Sequence, residues 1–150
     1  MKSVLILNGP NLNLLGTRQV EIYGKTTLEQ IIERCRHYGR SLGFEVKDAQ
    51  SNHEGALINF IQAAAEAEPH VVGIILNAGA YTHTSIAIMD AISSVGLPVV
   101  EVHLSDIQAR EPFRQFSYIS RVAIAQICGK GPDGYIEALD ILAKHVQSQS

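Results

Sequence analysis

The chain contains five short apolar runs, and each has the composition of a β-strand. Residues 3–7 and 71–76 are rich in aliphatic side chains without polar alternation, which is typical of strands buried on both faces of a parallel sheet. Residues 44–49 alternate between apolar and polar side chains, a pattern that suits a strand at an edge of the sheet. Residues 99–104 and 122–128 predict a fourth and a fifth strand.

Amphipathic stretches with helical spacing separate and follow these runs. Apolar residues three and four positions apart predict helices at residues 28–42, 57–65, 86–95 and 134–145. Capping-box patterns at residues 26–29 and 51–54 predict where the first two helices begin. Thr82 or Thr84 is the expected N-cap of the third helix.

Strands that alternate with helices build a parallel sheet with helices on both faces. The sequence therefore predicts an α/β fold, a flavodoxin-like three-layer sandwich, in which a single domain over residues 1–150 surrounds a five-stranded parallel sheet of order 2-1-3-4-5. Ligands of such sheets bind at the carboxyl ends of the first and third strands, where the strand order reverses. We expect residues 8–13 to meet residues 77–83 there, with His103 next along the same edge.

Composition and charge narrow the classes of function. A hydrophobic content of 46% and a charged content of 18% fit a globular protein, and a net charge of −3 without a basic block argues against nucleic-acid or membrane binding. No signal peptide and no run of about 18 apolar residues is evident. Cys35 and Cys128 are far apart and form no CxxC pair, as expected of reduced thiols in a cytoplasmic protein.

Polar residues collect where the predicted strands end. Residues 77–85 bring an amide, several hydroxyls and an imidazole to a strand-to-helix turn, and residues 8–13 contain three asparagines. Loops at this edge of an α/β sheet are the favoured place for a binding site. Residues 14–25, with Gly16 and Gly24 near the ends, predict a lid over that site, and a passive surface loop is the alternative.

A GxGxxG pattern at residues 129–134 follows the last strand and precedes the last helix. No βαβ unit follows it, and Pro132 lacks the amide that a phosphate-binding loop uses. A tight turn before the helix is the favoured interpretation. The sequence contains no Walker loop and no HExxH motif, and it has no GxSxG elbow between a predicted strand and a helix.

Glu101 and His103 lie two residues apart on the fourth strand, so their side chains share a face. With His83 they have the residue types of a zinc or iron site. Alternatively, the carboxylate orients the imidazole as a general acid, or the two groups form a structural ion pair. Spacing alone leaves all three interpretations open.

Arg18 and Tyr23 lie in the predicted lid. A tyrosine is a poor base at neutral pH unless a cation stabilises its phenolate, and an arginine supplies a permanent charge. Arg110, after the fourth strand, is a second cation that could approach. The alternatives are a lid tyrosine that acts as a general base and a tyrosine packed on the surface.

Six segments resemble type II 3-dehydroquinate dehydratases, and the resemblance extends over essentially the whole chain. They read LNGPNLNLLGTR, IYG, QSNHEG, GAYTHTS, EVHLS and AREPFR, at residues 7–18, 22–24, 50–55, 79–85, 101–105 and 109–114. The resemblance implies a hydro-lyase that converts 3-dehydroquinate into 3-dehydroshikimate by anti elimination through an enolate, without cofactor, Schiff base or metal. It implies Tyr23 as the base at C2, activated by Arg18 with Arg110 in support.

The same resemblance implies roles for the other groups. Asn11 positions a water that stabilises the enolate, and His103, paired with Glu101, protonates the departing C1 hydroxyl. The backbone amides of Leu104 and Ser105 bind the substrate carboxylate.

Further residues are implied to bind the substrate or to connect subunits. Asn77, His83 and Arg114 bind substrate hydroxyls. Asp90 reaches the site of a neighbouring subunit, in a dodecamer built of trimers.

Four positions depart from the family pattern. Val20 and Ala78 replace prolines, and Asp106 and Gln108 replace an asparagine and a histidine. No catalytic group is lost, but Asp106 adds negative charge near the expected carboxylate pocket.

Two rival functions remain open from the residues alone. A flavodoxin-like module that binds a nucleotide or small anion would contain bound flavin, and a metal-dependent hydrolase would lose activity on chelation. An imine mechanism needs a buried lysine, whereas the five lysines occupy expected termini, loops or exposed positions: Lys2, Lys25, Lys47, Lys130 and Lys144. The sequence does not distinguish biosynthesis of aromatic compounds from quinate breakdown.

Overall fold

A computed structural model describes residues 1–17 and 20–149, with only the backbone at residues 22 and 23. Within this part of the chain, five strands form one parallel sheet in the order β2-β1-β3-β4-β5. The strands are β1 Lys2–Asn8, β2 Phe44–Gln50, β3 Val71–Asn77, β4 Val99–His103 and β5 Ala125–Cys128. The predicted strand order is therefore confirmed, with the alternating strand β2 at an edge.

Helices cover both faces of the sheet. The helices are α1 Val20–Tyr23, α2 Leu28–Ser41, α3 Glu54–Ala64, α4 Ile86–Val95 and α5 Asp133–Ser148. Helices α2 and α5 pack on one face and α3 and α4 on the other. The flavodoxin-like three-layer arrangement predicted from the sequence is confirmed.

The central strands are apolar throughout because both of their faces are buried. Along β1, Val4 and Ile6 join the core under α2 and α5, whereas Leu5 and Leu7 join the core under α3 and α4. Burial of one such side chain contributes about 1.5–3 kcal/mol. The two cores hold the sheet so that its carboxyl edge is a fixed platform for the loops.

Three predictions about helix starts are wrong. The capping box of α2 lies one residue later than expected, between Thr27 and Gln30. The pattern at residues 51–54 forms no capping box, because the Ser51 hydroxyl accepts a bond from the amide of His53. Ser85, rather than Thr82 or Thr84, caps α4.

The predicted lid and fifth strand also differ in detail. Within residues 14–25, the backbone forms the one-turn helix α1, and Gly24 takes a left-handed φ of 77°. Strand β5 begins at Ala125 rather than at residue 122, because a 3-10 turn at Ile119–Arg121 precedes it.

The cysteines are free, as predicted. Burial raises the pKa of the Cys35 thiol to about 12, so it behaves as an apolar core residue. No helix in the described ranges is long and apolar enough to cross a bilayer.

The loops after β1 and β3 contact each other through their backbones. The amide of Gly9 donates to the carbonyl of Asn77 at 2.7 Å. A β-carbon on Gly9 would lie 2.4 Å from the carbonyl oxygen of Ala78, far inside van der Waals contact. Only glycine lets these two loops approach this closely.

Gly9→Ala should therefore lower the free energy of unfolding by about 1–3 kcal/mol, the usual cost of overpacking. Urea unfolding at a fixed protein concentration measures the effect. Gly55→Ala is the matched control, because an added β-carbon there meets nothing within 4 Å. Wild-type stability of the Gly9→Ala variant would show that the close approach imposes no constraint.

Candidate active site

A cleft opens at the carboxyl ends of β1, β3 and β4. Parallel pairing sets Asn8 beside Asn77 and Leu76 beside Glu101, so the loops that follow these strands meet at one edge. The cleft is lined by Pro10, Asn11, Leu12, Leu15, Asn77, Gly79, Ala80, His83, His103, Leu104, Ser105, Ile107, Arg110 and Arg114. The predicted meeting of residues 8–13 with residues 77–83 and His103 is confirmed.

A fully buried carboxylate lies beneath this cleft. Glu101 is 0% exposed, and its Oε2 accepts bonds from His103 Nε2 at 2.5 Å, Ser117 Oγ at 2.6 Å and Thr82 Oγ1 at 3.0 Å. Its Oε1 accepts a bond from Gln126 Nε2 at 3.1 Å. A buried charge is stable only when it is compensated in this way.

The donors around Glu101 decide its ionisation. Burial alone would raise the pKa of this carboxyl, but hydrogen bonds from His103, Ser117 and Thr82 and the charge of His103 outweigh burial. The net result is a pKa below its ordinary value of 4.5. Glu101 is therefore a carboxylate at neutral pH.

His103 presents one ring edge to Glu101 and lines the cleft. A carboxylate can only accept, so Nε2 carries the proton of their shared hydrogen bond. Nδ1 is then the nitrogen that gains or loses a proton in exchange with a ligand. This is the geometry expected if the Glu101 carboxylate orients the imidazole of His103.

His83 is oriented through a different contact. Its Nδ1 lies 2.7 Å from the carbonyl oxygen of Phe116, so Nδ1 carries a proton and donates it. Burial lowers the pKa of His83, and the charges of His103 and Arg114 lower it further against the opposing effects of Phe116 and Glu101. Nε2 of the neutral ring is then an acceptor suited to a ligand hydroxyl.

Asn77 is held by groups that the sequence did not identify. Its Oδ1 accepts a bond from the amide of Gly79 at 3.1 Å, and its Nδ2 donates to the hydroxyl of Tyr135 at 3.0 Å. Tyr135 is fully buried and donates in turn to Oδ1 of Asn8 at 2.6 Å. One N–H of Asn77 remains for a ligand in the cleft.

Backbone groups after β4 are fixed by the glycine-rich turn. The carbonyls of Leu104 and Ser105 accept bonds from the amides of Gly131 and Gly129. Both glycines have left-handed φ values, and a β-carbon on Gly129 would lie 3.1 Å from Asp106. The prediction that residues 129–134 form a tight turn before a helix is confirmed.

Two arginines bring positive charge to the same wall of the cleft. Arg110 Nη1 donates to the hydroxyl of Ser105 at 3.3 Å, and Arg114 pairs with Glu111. Arg114 also lies over the ring of Phe113. This wall suits an anionic ligand.

The positions that depart from the family pattern do not intrude on the cleft. Asp106 is exposed, and its carboxylate accepts a bond from the amide of Gln108 at 3.0 Å. Gln108 donates to the carbonyl of Gln115 at 3.0 Å. Ala78 is buried against the loop after β1.

Of the described site residues, Glu101 lies beneath the cleft and Asp90 outside its lining, and the side chains of two further predicted residues are not described. Arg18 and the side chain of Tyr23 lie outside the described residues, so the predicted arginine–tyrosine pair remains a prediction. Asp90 is exposed on α4 and does not line the cleft of its own chain.

No group of three His, Cys, Asp or Glu side chains within the described ranges is arranged to hold a metal ion. The trio of Glu101, His103 and His83 is not among such groups, and both carboxylate oxygens of Glu101 already accept hydrogen bonds from protein donors. Of the three interpretations, the geometry favours a carboxylate that orients an imidazole.

The sequence missed most of the groups around Glu101. Gln126 could have been found, because it is the register partner of Glu101 on β5. The sequence predicts a helix cap at Thr82 or Thr84. It does not reveal the bond from Thr82 to Glu101, because that bond depends on tertiary structure. Ser117 lies in an irregular segment and carried no sequence signal.

Glu101→Gln should reduce the free energy of unfolding at pH 7 by about 3 kcal/mol, because the amide cannot accept from all four donors. The pKa of Glu101 in the folded protein is below its ordinary value. The contribution of the carboxylate to the free energy of unfolding is therefore complete above about pH 4.5 and is lost as the pH falls through the folded pKa. Urea unfolding across pH 3–7 should show the difference from wild type shrinking below pH 4.5. The surface variant Glu137→Gln is the control, and a Glu101→Gln difference independent of pH would contradict this account.

Comparisons with known proteins identify the family of the chain. The family model described as "Dehydroquinase class II" matches residues 2–143. The 3-dehydroquinate dehydratase of Ruegeria pomeroyi is 60% identical, across 99% of this chain and 98% of its own length. The catabolic 3-dehydroquinase of Pyricularia oryzae is 51% identical, across 99% and 94%.

A solved structure gives the same result for the fold. The type II dehydroquinase from Butyrivibrio crossotus matches with a TM-score of 0.90 at 46% identity, covering 95% of this chain and 97% of its own. The resemblance seen in the sequence is confirmed: the chain belongs to the class II dehydroquinase family.

Proposed function

We propose that the protein eliminates water from 3-dehydroquinate to give 3-dehydroshikimate, by anti elimination through an enolate. The observation that supports this most strongly is the cleft itself, in which an imidazole on a buried carboxylate lies near an amide and two arginines. Removing a proton beside a ketone and then losing a hydroxyl requires a base, enolate stabilisation and an acid.

The acid in this proposal is His103. Glu101 holds Nε2–H, so Nδ1 of the imidazolium delivers the proton to the C1 hydroxyl as it departs. The four-donor environment keeps Glu101 ionised, so it remains an acceptor for Nε2–H of His103.

The base in this proposal is Tyr23, with Arg18 stabilising its phenolate and Arg110 in support. Arg110 lines the cleft, and Tyr23 is the last residue of α1, which follows the Asn11 turn along the chain. A nearby guanidinium favours the phenolate over the phenol. Asn11, which also lines the cleft, positions the water that stabilises the enolate.

Substrate binding uses the remaining polar groups of the cleft. Asn77 donates its free N–H to a substrate hydroxyl, neutral His83 accepts from another, and Arg114 binds the same side of the ring. The backbone amides of Leu104 and Ser105 bind the carboxylate, on a segment that the Gly129–Gly131 turn fixes.

No lysine lines the cleft within the described residues, so an imine mechanism has no candidate nucleophile there. We propose that no cofactor is needed, since an acid, a base and an oriented water provide the elimination. One relative is named a 3-dehydroquinate dehydratase and another a catabolic 3-dehydroquinase, and we propose that the reaction serves either the shikimate pathway or quinate breakdown.

We further propose a cytoplasmic homo-oligomer, a dodecamer built of trimers. Asp90 supports this arrangement, because its exposed position on α4 allows it to reach a neighbouring chain's cleft rather than its own.

Addition of 3-dehydroquinate to chelator-treated protein should produce a rising ultraviolet signal from the conjugated enone.

Tyr23→Phe should lower kcat by about 10²–10⁴-fold with KM changed only a few-fold, because loss of a general base affects chemistry more than binding. Tyr38→Phe is the control, since its hydroxyl contacts Asp140 away from the cleft.

A flat trace from folded wild-type protein would contradict the proposed reaction, and bound flavin would then favour a nucleotide-binding module. Activity lost on chelation and restored by a metal would favour a hydrolase. Wild-type kcat in Tyr23→Phe would remove this residue as the base.

A further inference from the structure

Asn11 has an unusual backbone conformation for a residue in the proposed active site. Its φ is 69° and its ψ is −5°, and within residues 1–17 and 20–149 it is the only non-glycine residue with positive φ. This left-handed conformation disfavours any residue with a β-carbon, even though asparagine tolerates it better than most. Such strain persists only where neighbouring groups enforce it.

The group that contacts the strained backbone comes from another loop. The amide of Asn11 donates to Oδ1 of Asn52 at 3.0 Å, across 41 residues of sequence. Asn52 lies two residues beyond the end of β2 and does not line the cleft. Its side chain therefore acts on Asn11 from outside the site.

Oδ1 of Asn52 is itself held in place. Gln50 Nε2 donates to this oxygen at 3.2 Å and also to the carbonyl of Gly9 at 3.1 Å. The same nitrogen lies 3.4 Å from Oδ1 of Asn13, so the Gln50 amide contacts the chain on both sides of Pro10. These bonds connect the end of β2 to the loop that carries Asn11.

The backbone of the same segment is attached to the end of β1 and to the turn that follows β3. The amide of Ser51 donates to the carbonyl of Asn8 at 3.0 Å, and the hydroxyl of Tyr81 donates to the carbonyl of Asn52 at 2.9 Å. Residues 50–52 thus bridge the loops after β1 and β3. The QSN segment is a motif to which the proposed chemistry assigns no role.

We propose that Asn52 is a positioning residue that fixes the left-handed backbone of Asn11 and thereby aims the Asn11 side chain at the enolate water. The inference rests on the proposed function, in which Asn11 acts during enolate formation. Loss of the Asn52 acceptor lets Asn11 relax to negative φ, which turns its side chain away from the cleft. The effect falls on kcat, because substrate binding depends on other residues.

Asn52→Ala should lower kcat about tenfold, with KM within about twofold of wild type. Asn52→Asp keeps an oxygen at Oδ1 for both donors and should restore kcat to within about threefold, whatever its added charge does to KM. Asn59→Ala is the matched control, because Asn59 is an exposed asparagine in α3 that does not line the cleft. It should retain wild-type kcat and KM.

A double-mutant cycle with Asn11→Ala separates positioning from a general structural role. If Asn52 acts through the Asn11 side chain, Asn52→Ala should have little further effect on kcat in the Asn11→Ala background. Gln50→Leu, which removes the donor to Asn52, should reproduce part of the kcat loss. Thermal unfolding of each variant establishes that the comparison is between folded proteins.

Wild-type kcat in both Asn52→Ala and Gln50→Leu would overturn the inference, as would a full and additive loss in the Asn11→Ala background. Failure of Asn52→Asp to recover above Asn52→Ala would also overturn it. Wild-type turnover of 3-dehydroquinate is measured alongside, so failure of the proposed function appears as an inactive wild type and is distinguished from failure of this inference.

Discussion

The buried carboxylate of Glu101 is the interaction on which the geometry of the cleft depends. An isolated charge in the interior costs several kcal/mol, and four donors from four segments of the chain compensate it here. Those donors come from the turn after β3, from β4 itself, from the segment before β5 and from β5. Because the carboxylate needs all of them, it sets where these segments lie relative to one another.

This constraint connects the two histidines of the cleft. His103 contacts Glu101 directly, whereas His83 donates to the carbonyl of Phe116, the neighbour of the Ser117 that binds Glu101. The amide of Tyr118 donates to the carbonyl of Thr82, which joins the same two segments through their backbones. The Glu101 carboxylate therefore influences the orientation of both rings. Nε2 of His103 is a donor, whereas Nε2 of His83 is an acceptor. In the proposed reaction these are the acid and a substrate-binding group.

The sequence predicted the sheet, its strand order and the meeting of the loops, because buried parallel strands have a distinct composition and their carboxyl ends share one edge. Prediction from the sequence was wrong where a side chain binds a residue that is distant in the sequence instead of a local one. Thr82 looked like a helix cap, but its hydroxyl binds a buried carboxylate, and Ser85 caps α4 instead. Ser117 and Tyr135 contact the site across long separations, which neither spacing nor periodicity reveals. The left-handed Asn11 could be suspected from its residue type, but its acceptor Asn52 could not.

The central claim is that a base from the lid and an acid on the sheet edge act on opposite faces of one substrate. The most direct measurement uses 3-dehydroquinate labelled with deuterium at one of the two C2 positions and follows the label by mass spectrometry. The account predicts that the enone loses the hydrogen anti to the C1 hydroxyl and retains the other. Loss of the syn hydrogen, or of both without preference, would contradict it.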